Sequence, residues 1–211
     1  MDNKFHWHIL DGKRTSLLPL FKAFKEDFYL AGGTALALQF GHRDSIDFDF
    51  FSLRSFSTEE LSRKVEHIFK GHVIIKIQEA KDTLTFTVDE SVKISFFAYN
   101  YELIKPLLDE DTFKMASIED IGAMKLSAIT SRSVLKDYVD LYYILHKISL
   151  EKLLEIAKEK FPKIDTNPML KSLVYYDDIQ EEPILFKDGE VSLNMIKSYL
   201  SHVVREFVRL S

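Results

Sequence analysis

The sequence predicts an α+β fold, with a mixed or antiparallel sheet in residues 1–102 followed by a helical lobe in residues 103–211. Two patterns carry this. Alternating apolar and polar segments, the signature of half-buried strands, fall before residue 100. After about residue 103 the apolar residues recur every three or four positions, as on one face of a helix. The 46% apolar content and 17 phenylalanines are enough for a sizeable core in 211 residues.

Taken in order, TSLLPLFKAFKEDF (15–28) has helical spacing, and FYLA (28–31) is a short buried strand. TALALQFG (34–41) is rich in helix formers and ends on Gly41, a residue suited to a helix C-terminus. SIDFDFFS (45–52) alternates strictly and reads as a strand. STEELSRKVEHIFK opens with a capping box, Ser57 to Glu60, and reads as a helix. HVIIKIQEA, DTLTFTVD and SVKISFFAY are three strands separated by short polar turns, so antiparallel hairpins are expected. In the second half, SIEDIGAMKLSAITSR (117–132) and VLKDYVDLYYILHK (134–147) read as helices, the first capped by Ser117. SLEKLLEIAKEKF, stopped by Pro162, NPMLKSLVYY and SLNMIKSYLSHVVREFVRL complete the helical lobe. The acidic, non-periodic DDIQEEPILFKDGE between the last two is a loop.

Composition excludes several classes. With 28 basic and 33 acidic residues the net charge is -5, which argues against a general nucleic-acid-coating protein and leaves room for a local basic pocket. There are no cysteines, so disulfides and zinc–thiolate sites are excluded. The N-terminus lacks the apolar run of a signal peptide, and no stretch has the length of a membrane span. A soluble, cytoplasmic protein without membrane partners is expected.

Two short stretches suggest chemistry. Asp47 and Asp49 are separated by one residue, so on a strand they share a face while Phe48 and Phe50 take the other. Two carboxylates this close repel unless a cation lies between them, and such a pair suits Mg²⁺ or Mn²⁺. The alternative is an edge strand with solvated acids. Gly32 and Gly33 stand between a strand and a helix, where absent Cβ atoms and free helix-start N–H groups admit an anion, with the Thr34 hydroxyl nearby. The alternative is an ordinary turn. Together they form the layout of a nucleoside triphosphate site, with backbone donors on outer phosphates and a metal held by the carboxylates. His42 and Arg43 would lie at its mouth, Arg43 pairing with phosphate or with Asp44 or Asp47. In the helical lobe, Lys125 and Arg132 are seven apart and expected on one face of one helix, with Asp137 and Asp140 three apart on the next. They could grip triphosphate, or form a salt-bridge network that staples the lobe, a reading that suits Asp140 best.

The stretches LAGGTALALQFGHRDSIDFDFFS and MKLSAITSRSVLKDYVDLYYIL resemble the nucleotidyltransferases of the DNA polymerase β-type superfamily, in particular the AbiEii/AbiGii toxins. The matching features are the Gly-Gly-Thr turn, the HR-S approach, the DFDFF strand, and the set Lys125, Arg132, Lys136, Asp137 and Asp140, with Lys136 where that branch often has Arg. The resemblance implies a nucleotidyltransferase core over 1–102 and Mg²⁺-dependent transfer of a nucleotidyl group from a triphosphate to a hydroxyl, with RNA such as tRNA as acceptor and an antitoxin as partner. It implies catalytic roles for Asp47, Asp49, Lys125 and Asp137, metal binding by the first two, and phosphate contacts from Gly32, Gly33, Thr34, Arg43 and Arg132. One departure stands out. The superfamily commonly supplies a third carboxylate from a later strand, and here Ser95 occupies that place in SVKISFF. Either Asp137 serves instead or activity is weak or lost, which keeps open a non-catalytic nucleotide-binding or interaction protein on the same fold. An aspartyl-phosphate phosphatase is disfavoured by Phe51 and by the upstream Gly-Gly-Thr.

Overall fold

The computed structural model describes residues 5–180, 182–187 and 189–210. Residues 1–4 of the N-terminal stretch, Glu181 and Asp188 of the acidic loop, and Ser211 lie outside them.

Helix α1 (Gly12–Phe21) starts at Asp11, whose carboxylate accepts from the Arg14 amide, three residues earlier than the sequence suggests. A short 3-10 turn follows, then strand β1 (Tyr29–Ala31) and helix α2 (Gly32–Phe40). Gly41 ends α2 at φ 72°, a left-handed conformation that glycine adopts without penalty. Strand β2 (Phe48–Ser52) and helix α3 (Thr58–Ile68) come next, the latter capped by Ser57 as its capping box predicts. Strands β3 (Ile74–Ala80), β4 (Thr83–Val88) and β5 (Val92–Ala98) form the two expected hairpins.

The expected change to helix at residue 103 is delayed. Two short strands, β6 (Leu108–Asp109) and β7 (Lys114–Met115), first join the sheet, whose order is β3-β4-β5-β2-β1-β7-β6. It is a mixed sheet, because β2 runs parallel to β5 and β1 parallel to β7. Helices α4 (Ile118–Ala128), α5 (Leu135–Leu145), α6 (Leu150–Lys160), α7 (Thr166–Leu173) and α8 (Leu193–Leu210) complete the chain.

The alternation of β2 decides what each face of the sheet does. Phe48 and Phe50 are buried on one face, where Phe21 lies edge-on to both at ring-centroid distances of 4.7 and 5.0 Å. Phe24, Phe69, Phe86 and Phe96 extend this aromatic core under α1 and α3. Asp49 and Phe51 take the other face. Residues 180 and 182–187 form a strap fastened at both ends. Leu135 N donates to Gln180 O and Gln180 N to Ser133 O, while Asp44 N donates to Leu185 O and Lys187 N to His42 O.

Candidate active site

Asp49 sits at the middle of the sheet. Its Cα partners are Ala31 on β1 and Ser95 on β5. Directly paired residues present their side chains on one face, so the Ser95 hydroxyl and the Asp49 carboxylate share a face of the sheet. Ser95 is therefore in register with the second aspartate. Asp47 lies one residue ahead of β2 and forms an ion pair with Lys93, Nζ to Oδ2 2.7 Å. Burial and the Asp47 charge raise the Asp49 carboxyl above its usual range, against the pull of Lys93, Lys125 and Ser95. Burial works to lower the Lys93 ammonium, but its bond to Asp47 prevails and raises it.

The two glycines serve different ends. Gly32 has φ 69°, and a Cβ there would lie 3.2 Å from Asp49 Oδ2. Its bareness lets the carboxylate approach the start of α2, whose N-terminus has no side-chain cap. A Cβ on Gly33 would meet Arg43 Nη2 at 2.6 Å, so this glycine makes room for a guanidinium. Thr34 uses its hydroxyl locally, on Ser45 Oγ at 2.7 Å and on the Asp47 carbonyl, tying the first turn of α2 to the approach to β2.

Arg43 does not pair with Asp47. Its Nε and Nη2 form a two-pronged bond to the buried Asp140, at 2.8 and 2.9 Å, and Nη1 donates to the Asp44 carbonyl. His42 Nε2 reaches the same carboxylate at 2.9 Å. Both residues are buried inside the interface between sheet and helices, not at a mouth. Burial alone would raise the Asp140 carboxyl, but Arg43 and Lys125 hold it well below the carboxylate range. Burial lowers the His42 imidazole against the pull of Asp140, which favours its neutral form.

Lys125, on α4, bridges two aspartates of α5, with Nζ 2.6 Å from both Asp137 and Asp140. Arg132 is not on α4 as expected. The helix ends at Ala128, where the Thr130 and Ser131 hydroxyls bond back to the Ser127 and Ala128 carbonyls. From the loop beyond, Arg132 Nε and Nη2 reach Asp137 at 2.8 and 3.2 Å, and its side chain stays 58% exposed. Three cations, Arg43, Lys125 and Arg132, thus face two fully buried carboxylates, Asp137 and Asp140. Of these cations, Lys125 acts on Asp49 of β2.

The sequence singled out all of these residues except Lys93. Its spacing of two from Ser95 on an alternating strand was the available signal. Among the described residues no group of three His, Asp or Glu side chains forms a ready-made metal cage. No described helix is long and apolar enough to cross a membrane.

The profile of the nucleotidyl transferase AbiEii toxins of type IV toxin–antitoxin systems matches residues 20–207. An uncharacterised protein of Aquifex aeolicus (strain VF5) is 36% identical over 188 residues, covering 86% of this chain and 88% of that protein. Among solved structures, the nucleotidyltransferase toxin MenT4 of Mycobacterium tuberculosis H37Rv superposes with a TM-score of 0.63 at 14% identity, over 93% of this chain and 83% of that one. JHP933 of Helicobacter pylori gives 0.55 at 16% identity, over 93% and 91%. At these identities the structural matches speak for the fold, and the match of the sequence profile over most of the chain shows that the protein belongs to the AbiEii nucleotidyl transferase toxin family.

Proposed function

We propose that the chain transfers a nucleoside monophosphate from a triphosphate to a hydroxyl acceptor, an RNA such as tRNA, with Mg²⁺ or Mn²⁺. We further propose that it acts in the cytoplasm as the toxin of a pair with a cognate antitoxin. The observation that carries this is the half-buried Asp49 carboxylate beside Asp47, packed against the bare Gly32 at an uncapped helix start.

The donor set fits a hard divalent cation, since one or two carboxylates plus phosphate oxygens suffice for Mg²⁺. Asp47 and Asp49 would hold it, and it would draw charge from the phosphate oxygens. The chain's own residues do the rest. The first amides of α2 donate to phosphate, and the absence of a side chain at Gly32 leaves them open. Arg132 keeps Nη1 free of bonds among the described residues and turns an exposed guanidinium to the triphosphate. Lys125 places its ammonium between the aspartates and the acidic pair, where it offsets charge on the leaving pyrophosphate. Thr34 and Arg43 act by positioning, the first on the Asp47 backbone and the second through Asp140. Asp137 is committed to Lys125 and Arg132, so its part is to aim those cations. The acceptor oxygen attacks the α-phosphorus, the bond to pyrophosphate breaks, and the acceptor proton leaves to solvent.

Transfer of label from α-labelled triphosphates to total RNA tests the proposal. The wild type should label RNA, and Asp49→Asn should not. Failure of the wild type with all four triphosphates would overturn it. The register of Ser95 with Asp49 favours a second reading, nucleotide binding without transfer. Calorimetry that finds Mg²⁺–triphosphate binding where labelling fails would support that reading.

A further inference from the structure

Strand β2 has the glycine pair on one side and Lys93 on the other. Its two neighbours in the sheet are β1, which leads into Gly32, and β5, which carries Lys93. Ala31, the residue before Gly32, is the Cα partner of Asp49 on the first flank, and Ser95 is its partner on the second. Lys93 stands beside Asp47, one step ahead of the Phe48–Ile94 pair in the same parallel register. Its Nζ lies 2.7 Å from Asp47 Oδ2. The site face thus presents two side-by-side pairs, Asp47 with Lys93 and Asp49 with Ser95.

The other cations of the site are more tightly committed. Lys125, with a side chain 8% exposed, is held by Asp137 and Asp140 together. Arg43 is locked onto Asp140 by two bonds. Arg132 spends Nε and Nη2 on Asp137. Lys93 differs in each respect. Its side chain is 43% exposed, and Asp47 is its one ion-pair partner among the described residues. An ammonium has three donors, so this contact leaves others for a ligand. Asp47 is itself partly exposed, and solvated ion pairs of this kind hold weakly. The next residues across the sheet, Thr87 beside Lys93 and Thr85 beside Ser95, carry no charge that would pin the ammonium from behind.

We propose that Lys93 is a phosphate-binding residue of this site, whose ammonium yields Asp47 to the divalent cation and closes on non-bridging oxygens of the triphosphate, a role that rests on the transfer function above. Lys93 and the cation call on the same carboxylate, and a cation on Asp47 takes over the counter-charge that Lys93 supplies. The triphosphate carries more negative charge than one divalent ion offsets. Arg132 and Lys125 meet that charge from the helical lobe, and the amides at the start of α2 meet it from the β1 side. Lys93 meets it from the β5 side, which has no other cation in register with the acidic pair. Lysine suits the task. Its charge is compact and its four-carbon stem turns from carboxylate to phosphate with no movement of the strand.

Calorimetry on wild type, Lys93→Met and Lys93→Arg tests this, with Mn²⁺ alone and with each triphosphate in Mg²⁺. Lys93→Met should bind triphosphate roughly tenfold more weakly, the loss of one charge-assisted contact. The same variant should bind Mn²⁺ alone more tightly, because the ammonium no longer competes for Asp47. Lys93→Arg, which keeps the charge, should hold triphosphate within a few-fold of wild type, about half a log unit. The opposite signs in Lys93→Met separate a phosphate ligand from a counter-ion of Asp47. Triphosphate affinity unchanged or raised in Lys93→Met, where wild type binds, overturns the role of Lys93 alone. So does a parallel loss of Mn²⁺ and triphosphate affinity, which would confine Lys93 to shaping the carboxylates. A wild type that binds triphosphate through Lys93 and labels no RNA upholds the role and removes the transfer function. A wild type that binds no triphosphate overturns both.

Discussion

Replacing Asp140 should cost far more stability than removing a charge at the surface. Its carboxylate is fully buried and accepts from Arg43 twice, from His42 and from Lys125. In Asp140→Ala the Arg43 guanidinium, with a side chain 5% exposed, is left without its partner, and Lys125 keeps only Asp137. Breaking a buried pair in this way costs about 3–5 kcal/mol. For a chain of this size a loss of 1 kcal/mol lowers Tm by roughly 2–4 °C, so the fall should be about 6–20 °C. Circular dichroism melts at neutral pH measure it. The pH dependence gives a second reading. Asp140 is held well below its unfolded value of about 3.9, so its contribution is present above that pH and is lost as pH falls further. The gap in Tm between wild type and Asp140→Ala should therefore be widest near neutrality and close in acid below about pH 4. A fall of less than about 2 °C, or a gap that widens in acid, would refute the reasoning.

The other predictions concern the site itself. Asp49 is raised by burial and by Asp47, so its ionised form destabilises the fold as pH rises through its elevated range; Asp49→Asn should melt higher than wild type at neutral pH while losing all label transfer, and a lower Tm would contradict the assignment. Gly33→Ala should lose stability by displacing Arg43 from Asp140, because its Cβ would lie 2.6 Å from Nη2; an unchanged denaturant midpoint would show that the guanidinium yields freely. Ser95→Asp would place a third carboxylate in register with Asp49, so it should lower Tm in chelator and regain it in millimolar Mg²⁺; no recovery with Mg²⁺ would show that position 95 lies outside any metal site.

What the sequence made legible follows from range. The strict alternation of β2 is a local pattern and stands in the structure, whereas Gly32 and Gly33, expected as a turn ahead of the helix, are the first residues of α2. The partner of Arg43 is 97 residues away, and nothing nearby distinguishes a guanidinium bound for a phosphate from one bound for Asp140. Arg132 was placed on a helix because the spacing of seven allowed it, while Thr130 and Ser131 offered the backbone a competing set of bonds. Strands of two residues, such as β6 and β7, are too short to show alternation, so the far edge of the sheet was invisible. The room that Gly33 makes for Arg43 was not legible, since a missing Cβ looks the same whether a ligand or a buried side chain needs the space.

The strap of residues 180 and 182–187 is fastened by four main-chain links, two to the segment 133–135 and two to the segment 42–44. Main-chain links do not depend on side-chain identity. The clasp across sheet and helices therefore rests on the backbone, with the ion pairs Glu182–Lys136 and Lys187–Asp44 added to it. Only a proline at 44, 135, 180 or 187, each of which donates an amide, cuts a link directly. A backbone clasp of this kind makes the segment a natural place to graft a reporter or an epitope between its two fastened ends.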